Sequence, residues 1–301
     1  MQILITGGTG QVGRALQDEP LPDGVRIFAP ARAELDLSDP ASIRTAIASR
    51  PWAAVINAGA YTAVDRAESE PALAWAANAV GPETLARATA AAGVPLIHVS
   101  TDYVFSGDKA EPYAEDDPIG PLSVYGASKA AGELAVSAGN PRHVIARTAW
   151  VVSPFGANFL KTMLRVGAQR PSLGVVDDQH GAPTSARDIA RGLIEIALRH
   201  ARDPAAPTGV YHLVNAGETT WCGFAREIFR LAAARGGPSP HVEAIATADY
   251  PTPARRPANS RLSATRLARD FGISPRPWQA AIAEVLTETW AASLAAESKG
   301  T

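Results

Sequence analysis

The sequence predicts an α/β fold: a doubly wound parallel sheet followed by a smaller mixed C-terminal lobe. Three observations carry that reading. Short apolar, β-branched runs alternate with helical stretches through the first half of the chain, as in strands joined by crossover helices. The first run ends in a glycine-rich turn, Gly7-Gly-Thr-Gly10-Gln-Val-Gly13. Beyond residue 150 proline and glycine become dense and the alternation fades.

Residues 2–6 read as a buried strand. The glycines that follow have a G-x-x-G-x-x-G pattern and open a helix over 14–18. A tight turn, close backbone approach and a helix N-terminus together suit a pyrophosphate, so Gly7, Gly10 and Gly13 predict a Rossmann-type dinucleotide site. Residues 25–29 give a second strand. Residues 40–49 give a helix capped by Ser38 or Asp39. A third strand spans 53–57. An alanine-rich helix over 71–92 is ended by Gly93, and a fourth strand covers 95–100. A helix over 122–139 leads to a fifth strand at 143–148. Residues 186–200 read as a helix and 210–214 as a strand, and both are expected to return to the sheet. The division expected is a dinucleotide domain of residues 1–150 plus 186–214, with a substrate lobe of 151–185 and 215–301.

Sheets of this kind bind ligands beyond the carboxyl ends of their strands. Those ends are Gly7-Gly8, Asn57-Ala58-Gly59, Ser100-Thr101-Asp102 and Thr148-Ala149-Trp150, all small, polar or aromatic. Tyr125 and Lys129 stand four apart in the next helix and so share a face. A phenol next to a cation loses its proton more readily. Such a tyrosine can pass a proton to a carbonyl oxygen while another group delivers hydride to the carbon.

The 301 residues are 46% hydrophobic and 19% charged, ordinary for a soluble protein, and the net charge of -2 argues against nucleic acid or an anionic membrane as partner. No apolar run reaches transmembrane length, and residues 1–5 run straight into glycines without the features of a signal peptide. Cys222 is the single cysteine, which fits a reducing cytoplasm. The histidines form no metal-binding spacing, and His98, alternating inside a strand, reads as structural. Arg255, Arg256 and Arg261 cluster in a loop. The cluster is either a solvated surface or a phosphate clamp.

Several runs together identify a family. Gly10-Gln-Val-Gly13, Tyr61-Thr-Ala-Val-Asp-Arg-Ala-Glu68, Ser100-Thr-Asp-Tyr-Val-Phe105 and Val124-Tyr-Gly126 resemble the dTDP-4-dehydrorhamnose reductases, extended short-chain dehydrogenase/reductases. So do Asp178-Gln-His-Gly-Ala-Pro-Thr184, Tyr250-Pro-Thr-Pro253, Arg256-Pro257 and Asn259-Ser-Arg-Leu262, in the substrate half. The resemblance runs to about residue 290. It implies reduction of the C4 ketone of dTDP-4-dehydro-L-rhamnose to dTDP-L-rhamnose by a monomer or homodimer. It also implies roles. Tyr125 is the general acid, Lys129 lowers its pKa and holds the nicotinamide ribose, and Thr101 bonds the substrate oxygen. Asp102, Trp150 and, as a phosphate clamp, Arg256 meet the sugar nucleotide. Gly10, Gln11 and Val12 lie on the cofactor pyrophosphate. Asp36 and Leu37 meet the adenine. Ala58, Ala60, Tyr61 and Thr62 flank the cofactor beyond the third strand.

Two positions bear on cofactor and metal. The end of the second strand, Phe28-Ala-Pro-Ala-Arg32, has no acid for a ribose 2′-hydroxyl. Arg32 can pair a 2′-phosphate, so NADPH is expected, with NADH possible. Some members of the family form magnesium-bridged dimers through glutamates. Ala15 stands where one glutamate is expected and Arg187 near the other, so no such bridge is expected here. Alternative readings are another sugar-nucleotide epimerase or reductase of the superfamily, and a non-catalytic NADP-binding regulatory subunit.

Overall fold

A computed structural model describes residues 1–297, with side chains through residue 291; residues 298–301 of the expected second lobe segment lie outside the described residues. In the first half the elements are β1 (Gln2–Thr6), α1 (Gln11–Asp18), β2 (Arg26–Phe28), α2 (Pro40–Ala48), β3 (Ala54–Asn57), α3 (Val64–Ala67), α4 (Pro71–Trp75), α5 (Gly81–Ala91), β4 (Leu96–Thr101), α6 (Val124–Gly139) and β5 (His143–Thr148). The second half adds β6 (Val151–Val152), α7 (Phe159–Gly167), β7 (Ser172–Val176), β8 (His180–Gly181), β9 (Thr184–Ser185), α8 (Ala186–Arg202) and β10 (Gly209–His212). It ends with β11 (Thr219–Thr220), α9 (Trp221–Ala233), β12 (His241–Ile245), α10 (Thr265–Phe271) and α11 (Trp278–Glu297).

The main sheet has the order β10-β5-β4-β3-β1-β2, and every pairing is parallel. Its strands are apolar on both faces because helices cover both. On one face Ile3, Ile5 and Ile56 pack against Val12 and Leu16 of α1 and Ile189, Leu193 and Ala197 of α8. On the other, Leu4, Val55 and Leu96 pack against Ile43 and Ile47 of α2, Leu85 of α5 and Val136 of α6. The strand order reverses between β1 and β3, which opens a crevice at their carboxyl ends.

The single helix expected over 71–92 is broken. Its middle, Ala76–Val80, is a π-helical turn, closed by the Gly81 N–H on the Ala76 carbonyl. Pro82 follows immediately and has no N–H to continue an α-helical ladder. The widened turn aims the buried Asn78 carboxamide sideways. Its Oδ1 accepts from the Tyr61 N–H at 2.8 Å, and its Nδ2 donates to the Tyr61 carbonyl and to Ser128 Oγ, each at 3.0 Å. The π turn thereby fixes the loop beyond β3.

The rest of the second half is built from small two-stranded sheets, β6 with β9, β7 with β12 and β8 with β11. An aromatic and aliphatic cluster of Leu160, Phe224, Ile228, Trp278 and Ile282 holds them together, with Trp150 and Trp221 against its edge. Among the described residues no helix is long and apolar enough to cross a membrane.

One buried ion pair joins α6 to β5. Arg147 donates from Nε to Glu133 Oε1 at 2.9 Å and from its terminal nitrogen to Oε2 at 2.7 Å, and both side chains are 5% exposed. Removing one partner strands a charge in a dry interior. Glu133→Ala is therefore expected to cost about 3–5 kcal/mol, read as a lower urea midpoint at unchanged slope.

Candidate active site

Thr101 ends β4 and turns the chain. Its hydroxyl accepts from the Tyr103 N–H at 3.2 Å and donates to Asp102 Oδ1 at 2.9 Å. Both side chains are buried. Asp102 Oδ2 has no hydrogen-bond partner. Burial pushes the Asp102 carboxyl up to about 6, against the Ser260 and Thr101 hydroxyls, which favour its charged form from nearby.

Ser123 caps α6, accepting from the Gly126 N–H at 3.1 Å. The cap sets the start of the helix, so that Tyr125 falls in its buried first turn. Tyr125 packs edge-on against Tyr103, with ring centroids 5.5 Å apart, and among Ala67 and Ala74, with Tyr61 at the margin. Burial pushes its phenol up to about 12, the Thr101 hydroxyl pulls it down, and the Asp102 charge pushes it up. Lys129 is not among the groups that set this shift. Desolvation dominates, and the Lys129 ammonium is committed elsewhere. It donates to the Val99 carbonyl at 2.7 Å and lies 3.4 Å from His98 Nε2. Burial also lowers Lys129 to about 8, opposed by the Glu133 charge.

The glycine turn lies across the sheet from this pair. Gly7 has φ +68°, a left-handed conformation, and a Cβ on Gly13 would sit 2.0 Å from the Gly7 carbonyl oxygen. Only glycines allow the turn to pass this close. No side chain caps α1, so its first N–H groups are free to face an anion. The residues therefore fit a dinucleotide pyrophosphate through backbone. Val12 is in the core, and the Gln11 carboxamide accepts from Ser153 Oγ and Asn158 Nδ2, each at 2.9 Å.

Further along, Leu37 packs over Gly59, and Asp36 closes a turn. Its carboxylate accepts from the Ser38 N–H and hydroxyl and from Arg32 Nε at 3.1 Å. The Ser38 bonds hold that carboxyl below its usual range. Arg32 is otherwise open to solvent, with 82% of its side chain exposed. Ala58 packs at the core margin, Ala60 is half-buried, Tyr61 is held by Asn78 and bonds Glu70 through its hydroxyl at 2.5 Å, and Thr62 is exposed.

Trp150 follows β5 with φ +48°, the one non-glycine residue with positive φ among the described residues. Strain of this kind costs about 1–3 kcal/mol and persists where packing enforces it. Its ring stacks on Trp221 with centroids 3.7 Å apart, over Gly181, where a Cβ would sit 2.6 Å from the indole. Trp221 in turn donates from Nε1 to Gln179 Oε1 at 3.2 Å.

Arg256 does not stand free as a phosphate clamp. Its guanidinium spans both Asp65 oxygens at 2.9 and 3.2 Å, tying this loop to α3. Arg261 is likewise engaged, by Glu218 and Asn259. Ala15 and Arg187 line one small pocket with Glu284 and Glu288, and the Arg187 guanidinium pairs with Glu288 at 2.5 Å. Among the described residues no group of three or more acidic, histidine or cysteine side chains is placed to hold a metal.

The sequence reading gave no individual site role to Thr6, Asn78, Trp221 or Ser260, placed Asn57 only as a strand end, and took His98 as structural. His98 lies three residues before Thr101 on the same strand, which was the available signal.

A model of the RmlD substrate binding domain matches residues 1–290. A dTDP-4-dehydrorhamnose reductase of Sinorhizobium fredii is 45% identical over 280 residues, 93% of this chain and 94% of that one. The chain belongs to the dTDP-4-dehydrorhamnose reductase family. Solved members of the family share its fold. The structure from Clostridium acetobutylicum superposes with TM-score 0.89 at 36% identity, covering 95% of this chain and 99% of the other. That of Bacillus anthracis, a complex with NADP, superposes with TM-score 0.86 at 34% identity and the same coverage.

Asp102 offers a thermodynamic test of the site. Its native pKa lies above the unfolded value, so the native state binds its proton more tightly. Stability from this group is full below the unfolded pKa, falls as pH rises from about 4 to about 6, and stays lower above that. Asp102→Asn keeps the acceptor for Thr101 without the charge. At pH 7.5 it is expected to be more stable than the parent by about 3 kcal/mol, and at pH 4 the two converge. Equal differences in denaturant midpoint at both pH values would contradict this.

Proposed function

We propose that this protein reduces the C4 ketone of dTDP-4-dehydro-L-rhamnose to dTDP-L-rhamnose with NADPH, NADH serving less well. The observation that carries the reading is the buried grouping of Thr101, Asp102 and Tyr125 at the carboxyl end of β4. The near full-length identity to reductases of this name supports it.

NADPH, held along the Gly7–Gly13 turn by backbone N–H groups, would supply the hydride to C4. Tyr125 donates its phenolic proton to the C4 oxygen as negative charge grows there. Thr101 steadies that oxygen with a hydroxyl fixed by its neighbours. Lys129 holds the nicotinamide ribose with the one ammonium hydrogen not used by Val99 and His98. Leu37 and the Asp36 turn border the adenine, and Ala58, Ala60, Tyr61 and Thr62 flank the cofactor. Arg32 leaves Asp36 to pair a 2′-phosphate. The Trp150–Trp221 stack forms one wall for the sugar nucleotide, and Asp102 and Arg256 border it. Residues 1–150 with 186–214 form the cofactor domain and the remainder the substrate lobe.

The decisive assay is consumption of NADPH with the 4-keto sugar nucleotide. Tyr125→Phe is expected to lose about 10²–10⁴ in kcat while its NADPH affinity, read by cofactor fluorescence, stays near that of the parent. A parent protein that binds NADPH but turns over no 4-keto sugar nucleotide, and that co-purifies with a partner enzyme, would favour the regulatory alternative. Arg32→Ala is expected to raise KM for NADPH about tenfold and leave KM for NADH unchanged.

A further inference from the structure

Thr6 of β1, Asn57 of β3 and His98 of β4 are direct neighbours across three strands: Thr6 opposes Asn57, and Asn57 opposes His98. They form a polar row at the carboxyl ends of β1 and β3, continued across β5 and β10 by the aliphatic Ile145 and Val210. Asn57 and His98 are fully buried, Thr6 is 2% exposed and Lys129 2%. The row is continuous. The Gly59 N–H donates to Thr6 Oγ1 at 3.0 Å, Thr6 Oγ1 donates to Asn57 Oδ1 at 2.5 Å, and Asn57 Nδ2 lies 2.8 Å from His98 Nδ1. His98 Nε2 faces the Lys129 ammonium at 3.4 Å. One end of the row is thus the turn at Gly59, beside the glycine loop, and the other is Lys129.

We propose that His98 is a positioning residue for Lys129, a neutral imidazole whose Nε2 accepts from the ammonium and whose ring is oriented, through Asn57 and Thr6, by the turn at Gly59. The role of Lys129 itself rests on the reductase reading above.

The proton order follows from donor and acceptor chemistry. An ammonium has only donors, so His98 Nε2 must present its lone pair and Nδ1 must carry the proton. For that order the Asn57 carboxamide, which in this structure turns Oδ1 to Thr6 and Nδ2 to His98 Nδ1, exchanges its oxygen and nitrogen by a half rotation. Thr6 Oγ1 then accepts from both Asn57 and Gly59. With Lys129 neutral the carboxamide rotates back and Nε2–H donates to the amine. The row therefore has one hydrogen order for each charge state of Lys129. Burial, and then the Lys129 charge, holds His98 well below the ordinary imidazole range, so it stays uncharged. The other ionisable groups around Lys129 are Tyr125 and Glu133 of its own helix and Arg147 of β5, which pairs with Glu133.

The test compares His98→Phe, which keeps a ring but no acceptor, with His98→Gln, whose amide oxygen reaches the Nε2 position. Two readouts are followed against pH, NADPH affinity by fluorescence titration and kcat with the 4-keto sugar nucleotide. An ammonium that loses an acceptor gives up its proton sooner. In His98→Phe, both readouts are expected to fall off about one pH unit lower than in the parent. In His98→Gln they stay near the parent position. His98→Met replaces the phenylalanine variant if the larger ring does not fold. A merely structural histidine would lower thermal stability in all variants with no movement of the pH limb, and that result overturns the proposal. An equal downward movement in the glutamine variant overturns it too. NADPH binding reads out even if the parent fails to reduce the sugar nucleotide, so failure of the reductase reading is distinguishable from failure of this one.

Discussion

Burying the Lys129 ammonium is the most demanding thing this fold does, and much of the first half is arranged around it. A charge of that size loses several kcal/mol of hydration even after the interior relaxes. The compensation comes from three directions. The Val99 carbonyl takes one N–H, His98 faces another, and Glu133 supplies negative charge one turn along the helix. The Val99 carbonyl is available because β3 stops at Asn57, opposite His98, so β4 has no strand partner on that side beyond this point. The early end of β3, the turn through Ala58 and Gly59 and the position of α6 over β4 are therefore one arrangement, not three.

The second half is anchored to this frame by a few strong contacts. Trp150 leaves β5 in a left-handed conformation and is held there by the Trp221 ring and by the absence of a side chain at Gly181. Gln11 reaches from the start of α1 to Ser153 and Asn158, and Asp65 on α3 grips Arg256. Each contact joins a cofactor-side element to a residue far along the chain. The walls of the cleft are set by packing between distant segments.

The alternation of strands and helices was legible because it depends on local patterning, and the strands of the main sheet fall within a residue or two of where it puts them. The glycine turn, Thr101, Tyr125 and Lys129 could be singled out because the chemistry proposed for them has fixed spacing. The break at Ala76–Val80 was not. The alanine-rich run is helical by propensity on both sides of Gly81-Pro82, and only that pair hinted that the ladder must open. The loop arginines were not legible either. A guanidinium suits a phosphate and a carboxylate equally well, and Asp65, nearly two hundred positions away, decides the matter for Arg256. His98 fell between these cases. Its position inside a strand was clear, but its partners come from β1, β3 and α6, and no local pattern contains them.

The pKa directions in the site share one cause. Burial drives Tyr125, Asp102 and Lys129 each toward its uncharged form. For ketone reduction this helps. The tyrosine must hold its proton until charge builds on the carbonyl oxygen, and a phenol raised to about 12 is fully protonated at neutral pH. It is still a stronger acid than the alcohol being formed, so transfer runs downhill once the oxygen has become alkoxide-like. A cation that pulled the phenol toward neutrality would serve the reverse reaction, in which the tyrosine must act as a base. In the proposed reaction an ammonium engaged by β4 leaves the phenol an acid, and Lys129 would then serve to hold the ribose while Tyr125 acts in the reductive direction.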